Sequence, residues 1–199
     1  MSQKFLATAA MGLALLGGVA VAQEAAPARV RGTITTVTAT EIDVTTRSGG
    51  SASFAITPDT HVLGETTGTL ADIKSGSYIG SAAVPAPGGK LRALEVTVFP
   101  PQMAGVGEGH YPWDLGPTSS MTNGTVGSLV ISNGNTMKVQ YKGGEKDIMV
   151  PADVPIVNIA PGSQSDLKAG VKVIVVPAKG DPKTAGAILF GVNGIAPPQ

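Results

Sequence analysis

The chain has 199 residues, equal numbers of basic and acidic side chains (14 each), 42% hydrophobic residues but only 4% aromatic ones, and no cysteine. The absence of cysteine excludes disulfides, zinc–thiolate sites and a cysteine nucleophile together. Charges are sparse and mixed in sign along the chain, which argues against nucleic acid and against an acidic lipid surface as partners.

The amino terminus, MSQKFLATAAMGLALLGGVAVAQEAAPARV, has a basic start at Lys4, an apolar run from Phe5 to Val19, and Ala20-Val21-Ala22 ahead of Gln23. This is the pattern of a secretory signal peptide over 1–22, cleaved after Ala22, and it places the protein in the periplasm or outside the cell. A spanning helix needs ~20 apolar residues. This run is shorter, is interrupted by glycine and lacks a basic stop-transfer flank, and no later stretch reads as a transmembrane helix. Cleavage removes Lys4 and leaves one more acid than base. Residues 23–28 then form a short tail, expected to be disordered.

From residue 29 the period is two. Apolar residues alternate with polar ones in EIDVTT (Ile42, Val44), SASFAI (Ala52, Phe54, Ile56), ALEVTVF (Leu94, Val96, Val98) and NTMKVQY (Met137, Val139, Tyr141), each the pattern of a half-buried strand. Turn signals separate them: RSGGS, TPDT, APGG, ISNGN, YKGGE, APGS and KGDP. LADIKSG and SDLKAG each read as one helical or 3₁₀ turn. Asp72 or Asp166 lies at its start to accept orphan N–H groups, and Gly76 or Gly170 at its end in a left-handed cap. Leu70, Ile73 and Leu167 are placed to plug the open end of a small barrel.

Two stretches of the chain align in one order. Gly32-Thr33-Ile34 matches Gly124-Thr125-Val126, Ile56-Thr57-Pro58 matches Met149-Val150-Pro151, Ile73-Lys74-Ser75-Gly76 matches Leu167-Lys168-Ala169-Gly170, and Val84-Pro85-Ala86 matches Val176-Pro177-Ala178, at offsets of 92 to 94. The expected architecture is all-β: two tandem OB-like barrels, module 1 over 29–99 and module 2 over 121–196, joined by a Gly/Pro/aromatic linker over 100–120.

The pattern VRGTITTV…EIDVTTRSGGSASFAITPDTHV…LADIKSGSYIGSAAV…GGKLRALEVTVF resembles the module of a bacterial family of exported proteins built on a domain of unknown function. Its marks are a G-x-I first strand, an L-x-x-[IL]-[KR]-x-G turn and a last strand after a Gly-Gly turn. The resemblance covers 29–99 well and 121–193 less well. It implies OB-like β modules outside the cytoplasm and carries over no catalytic residue.

Catalytic constellations are absent from the pattern. There is no G-x-S-x-G elbow for the histidines His61 and His110 to serve, and GVGEG lacks the strand and helix of a dinucleotide site. His61, beside the Pro58-Asp59 turn, reads as a surface residue. The richest cluster is GVGEGHYPWDL, with the chain's one tryptophan. Tyr111, Pro112, Trp113 and Leu115 have the apolar area and stiffness to dock the linker on a barrel, so His110, Tyr111 and Trp113 are the candidate ligand- or partner-binding residues. The alternative is a metal site at Glu108, His110 and Asp114, suited to a divalent ion, or to copper if the flanking Met103 and Met121 join it. The function expected is therefore an exported, non-catalytic binding or interaction module for an envelope protein or small ligand, with a periplasmic metal-handling protein as the alternative.

Overall fold

A computed structural model of the protein describes residues 29–130 and 135–197. The expected signal peptide and tail, 1–28, lie outside the described residues. The fold is all-β. Its strands are β1 Val30–Val37, β2 Glu41–Thr46, β3 Ser51–Ala55, β4 His61–Thr67, β5 Tyr78–Pro85, β6 Leu91–Val98, β7 Gly109–Pro112, β8 Ser120–Val130, β9 Thr136–Tyr141, β10 Gly144–Met149, β11 Ile156–Pro161, β12 Lys172–Ala178 and β13 Asp181–Gly191. The period of two holds where it was strongest: Ile42 and Val44 in β2 are buried between exposed Glu41 and Thr45, and Met137 and Val139 repeat this in β9.

Antiparallel pairing runs from β1 to β2 to β3, β12 adds to the other edge of β1 (Val30↔Val175), and β13 pairs with β12 and reaches β3 at Thr184↔Ala55. This closes a five-strand barrel. A second closed ring joins β8, β9 and β10 to β5 (Ile79↔Gly124) and β6, with β10 running parallel to β6 at Ile148↔Leu91.

The closure differs from the expectation that 29–99 and 121–196 each complete a barrel alone. Each barrel takes its first three strands from one segment and its closing pair from the other. The physical reason lies in β4, HVLGETT, which contains no proline, asparagine or aspartate to reverse it. At ~3.3 Å per residue its seven residues carry the chain ~23 Å, far enough to leave one barrel for the other, and β11 brings it back. The closing pairs present similar side chains to the two barrels: Ile79 and Val96 in one, Val173 and Ile188 in the other.

The barrels have separate cores, one built on Ile34, Ile42, Val44, Phe54, Val173 and Ile188, the other on Ile79, Val96, Val126, Met137, Val139 and Ile148. Each fully buried aliphatic side chain contributes about 1.5–3 kcal/mol. The LADIKSG and SDLKAG segments form 3₁₀ turns at Leu70–Asp72 and Gln164–Asp166, and Ile73 and Leu167 enter the two cores as expected. The aspartates stand at the third position of each turn rather than its start. Each reaches back to accept the N–H of Thr69 or Ser163 (2.7 and 2.8 Å) in a capping box. These contacts hold both carboxylates below their usual range. Gly32 and Gly124 mark a further correspondence: a Cβ on either would lie 2.3 Å from a carbonyl oxygen, Thr45's or Gln140's, so the neighbouring strand approaches as only glycine permits.

Between the barrels β4 and β11 run antiparallel (Glu65↔Ile159), with β13 parallel to β4 and β6 parallel to β11. This four-strand seam joins both barrels into one sheet. The 100–120 linker is more ordered than a tether: after a 3₁₀ turn at Pro101–Met103 it forms β7, which pairs with β8 through His110↔Thr122.

Candidate ligand pocket at the seam

Strand alternation puts every second side chain of the seam on one face. That face receives Leu63 and Glu65 from β4, Glu95 and Thr97 from β6, Ile159 from β11 and Leu189 from β13. The linker folds over it with Phe99, Met103, Val106, Tyr111 and Trp113, and β1 and β8 wall the sides with Arg29, Arg31, Met121 and Asn123. A cavity of about 250 Å³ remains, apolar for most of its lining, with a few convergent polar groups. A second concavity of about 320 Å³, beside Thr33, Thr45 and Lys172, brings no unpartnered buried polar atom with it.

The linker is pinned where it crosses. The Tyr78 hydroxyl donates to the Val106 carbonyl (2.9 Å), and its ring packs 5.7 Å from that of Phe99. The Asn123 amide nitrogen donates to the Gly107 carbonyl and to the Tyr111 oxygen, both at 3.1 Å. The Gly107 contact fixes the amide orientation, since a carbonyl needs a donor, and so turns Asn123 Oδ1 inward, where it is buried without a partner. Gly80 makes room for it: a Cβ there would lie 2.6 Å from Oδ1.

Glu65 is the second unpartnered group. It is 2% exposed and its Oε2 has no hydrogen-bond partner. Burial, reinforced by the charge of Glu95, pushes its carboxyl up to about 8. Burial pushes the half-buried Glu95 up to about 7, against the hydrogen bond from Thr97 Oγ1 (3.2 Å) and the charge of Arg31. At the wall, the Arg29 guanidinium lies 3.5 Å from the centroid of the Trp113 ring, in cation–π geometry; burial lowers its pKa while Asp114 opposes the shift. Arg31 donates two hydrogen bonds to Asp114, at 2.8 and 2.9 Å. Burial alone raises Asp114, but this bidentate contact overrides it and the net direction is down.

Of the residues singled out from sequence, Tyr111 and Trp113 line the pocket, their rings 6.0 Å apart. His110 does not. Its Nδ1 pairs with Thr122 Oγ1 at 2.9 Å, its ring stacks 6.1 Å from that of Tyr141, and burial with Lys146 nearby lowers its pKa. Strand alternation along β7 explains the split, because residues 110 and 111 point to opposite sides. The metal alternative does not assemble: Glu108 accepts the Lys142 N–H (3.0 Å), His110 turns to Thr122 and Asp114 is taken by Arg31. Among the described residues no group of three or more His, Cys, Asp or Glu is placed to hold a metal. Met103 and Met121 line the seam pocket instead.

Sequence reading missed Arg29, Arg31, Glu65, Glu95 and Asn123. A faint signal existed in Leu63-x-Glu65 and Glu95-x-Thr97, where an acid shares a strand face with an apolar or hydroxyl neighbour. No family model, no curated protein and no solved structure matches this chain. No helix among the described residues is long and apolar enough to cross a membrane.

Proposed function

We propose that the protein is an exported binding protein, built from two copies of one β module that exchange their closing strands, and that it holds a small ligand in the seam pocket. The observation that carries this reading is the pair of buried, unpartnered polar groups, Glu65 Oε2 and Asn123 Oδ1, on the lining of one cavity. A buried polar atom without a partner costs ~1–3 kcal/mol. Two of them beside one cavity are what a site looks like before its ligand supplies the missing contacts. A catalytic reading gains no support from the histidines: His61 is exposed and His110 is turned to Thr122. Export rests on the signal pattern of 1–22 and the duplication on the matched turns and glycines.

Native mass spectrometry of protein isolated from the envelope of producing cells tests the ligand. The expected result is a small molecule retained by wild type and absent from a folded Met121→Trp variant, whose larger side chain fills the cavity. Equal retention by both would refute the pocket. Amino-terminal sequencing of the same sample should begin at Gln23, and an intact Met1 would refute export.

A further inference from the structure

Several side-chain donors of the seam pocket are engaged within the protein, while two buried acceptor atoms are left open. Arg31 is engaged by Asp114, Arg29 lies over Trp113, the Tyr111 hydroxyl donates to the Gly107 carbonyl (3.3 Å), and the Asn123 amide nitrogen is taken by Gly107 and Tyr111. Asn123 Oδ1 and Glu65 Oε2 lack partners, and Glu95 receives one hydrogen bond, from Thr97. A ligand that completes this set brings N–H or O–H donors, and Asn123 Oδ1, which can only accept, excludes a ligand made solely of acceptors.

Charge narrows the class. The ionisable groups at the pocket are Arg29 and Arg31 from the β1 side, Glu65 from β4, Glu95 from β6, Tyr111 from β7 and Asp114 from the linker. Glu65 and Glu95 hold their protons to about 8 and 7 in the empty pocket; a bound cation ionises them, and the three carboxylates then balance the two guanidiniums together with one further positive charge. The rest of the lining is Leu63, Ile159, Val176 and Leu189 with the thioethers of Met103 and Met121, which suits an apolar body and gives a strongly hydrated polyamine or sugar nothing to bond along its length.

We infer that the seam pocket binds a small monocation, a protonated amine on an apolar body, with its N–H groups shared among Glu65, Glu95 and Asn123 Oδ1. This rests on the reading of the pocket as a ligand site and names the ligand's chemistry. Two physical consequences follow. The amine stabilises the ionised carboxyls, which in the empty pocket are held near 8 and 7, so binding at neutral pH displaces protons from the protein. Affinity therefore rises with pH from 6 to 8, by up to about tenfold per unit for each proton displaced.

Calorimetric titration of the purified protein with n-hexylammonium chloride, n-hexanol and sodium hexanoate at pH 7.5 tests the inference. These probes share a body and differ only in the head group. The expected result is saturable binding of hexylammonium at least tenfold tighter than of the other two. Titrations in buffers of different ionisation enthalpy should show proton release. Glu65→Gln should weaken hexylammonium binding tenfold or more; it keeps the size of the protonated acid and an acceptor oxygen, so the fold is preserved. Glu95→Gln is the second variant and should weaken binding in the same direction. Hexanoate binding as tightly as hexylammonium, or hexylammonium binding insensitive to both substitutions, would overturn the amine class and leave the pocket standing as a ligand site. If no probe binds at millimolar concentration and Trp113 emission stays unchanged throughout, the pocket reading fails with it.

Discussion

Barrel interior and seam are built from corresponding positions of the two segments and have opposite character. Inside, the correspondence is like for like: Phe54 and Ile148, Ile73 and Leu167, Ile79 and Val173 are all buried apolar residues. At the seam it fails. Arg31 pairs with Ile174 across β1 and β12, whereas Asn123, in the equivalent place, pairs with Gly80 across β8 and β5. Glu65 of β4 stands directly opposite Ile159 of β11. A closed barrel tolerates only side chains that fill it without leaving polar atoms unpaired, so both interiors converge on the same chemistry. The seam face, covered by a linker that crosses it once, is under no such requirement, and that is where the polar groups gather.

The sharpest way to break this comparison is to truncate corresponding core residues. Phe54→Ala and Ile148→Ala, one in each barrel, should each cost about 2–5 kcal/mol in chemical denaturation. They should also unfold both barrels together, since each barrel is completed by strands from the other segment. A variant that melts one barrel and spares the other would contradict the strand exchange.

Acidity should move stability in the opposite sense to most proteins. Glu65 and Glu95 have folded-state pKa values above those of an unfolded chain. Between about pH 4.5 and 8 the folded state therefore holds protons that the unfolded state has lost. Their contribution to stability is complete below about pH 4.5 and falls as pH rises, by roughly 1 kcal/mol per unit for each of the two carboxyls between pH 5 and 7. Denaturation midpoints taken across that range should decline, and Glu65→Gln should flatten the slope. A rising or level profile in wild type would show that these carboxyls are solvated.

The reasons that strands were legible in the sequence and their partners were not lie in the same residues. Ile42 and Val44, or Met137 and Val139, reveal a half-buried strand because one face of it meets a core. Ile79 and Val173 are interchangeable in that pattern, so nothing local says which of the two strands closes which barrel. Trp113 and Tyr111 were legible as a docking cluster because stiff aromatic area has to be covered somewhere. Glu65 was not, since an acid in HVLGETT reads as the wet side of a strand until the linker is seen lying over it.

Smaller effects sharpen the picture of that cover. Trp113 is half-buried and carries Arg29 on its ring, so Trp113→Ala should lower stability by roughly 1–2 kcal/mol, less than a core truncation. Its fluorescence should be only partly protected from iodide; an indole as accessible as free tryptophan would contradict docking. Asp114→Asn, which removes the charge that holds Arg31, should cost about 1 kcal/mol or less, the range of partly exposed ion pairs. A cost equal to that of Phe54→Ala would make the pair part of the structural core.

The central claim, that the seam holds carboxyls in an apolar cavity beneath the linker, is tested most directly by carbon-13 NMR titration of the glutamate side-chain carboxyls, with Glu65→Gln and Glu95→Gln used for assignment. The structure predicts midpoints of about 8 for Glu65 and about 7 for Glu95 in the empty protein. Midpoints for both in the ordinary glutamate range, around ~4.3, would mean that water reaches them and that no such cavity exists.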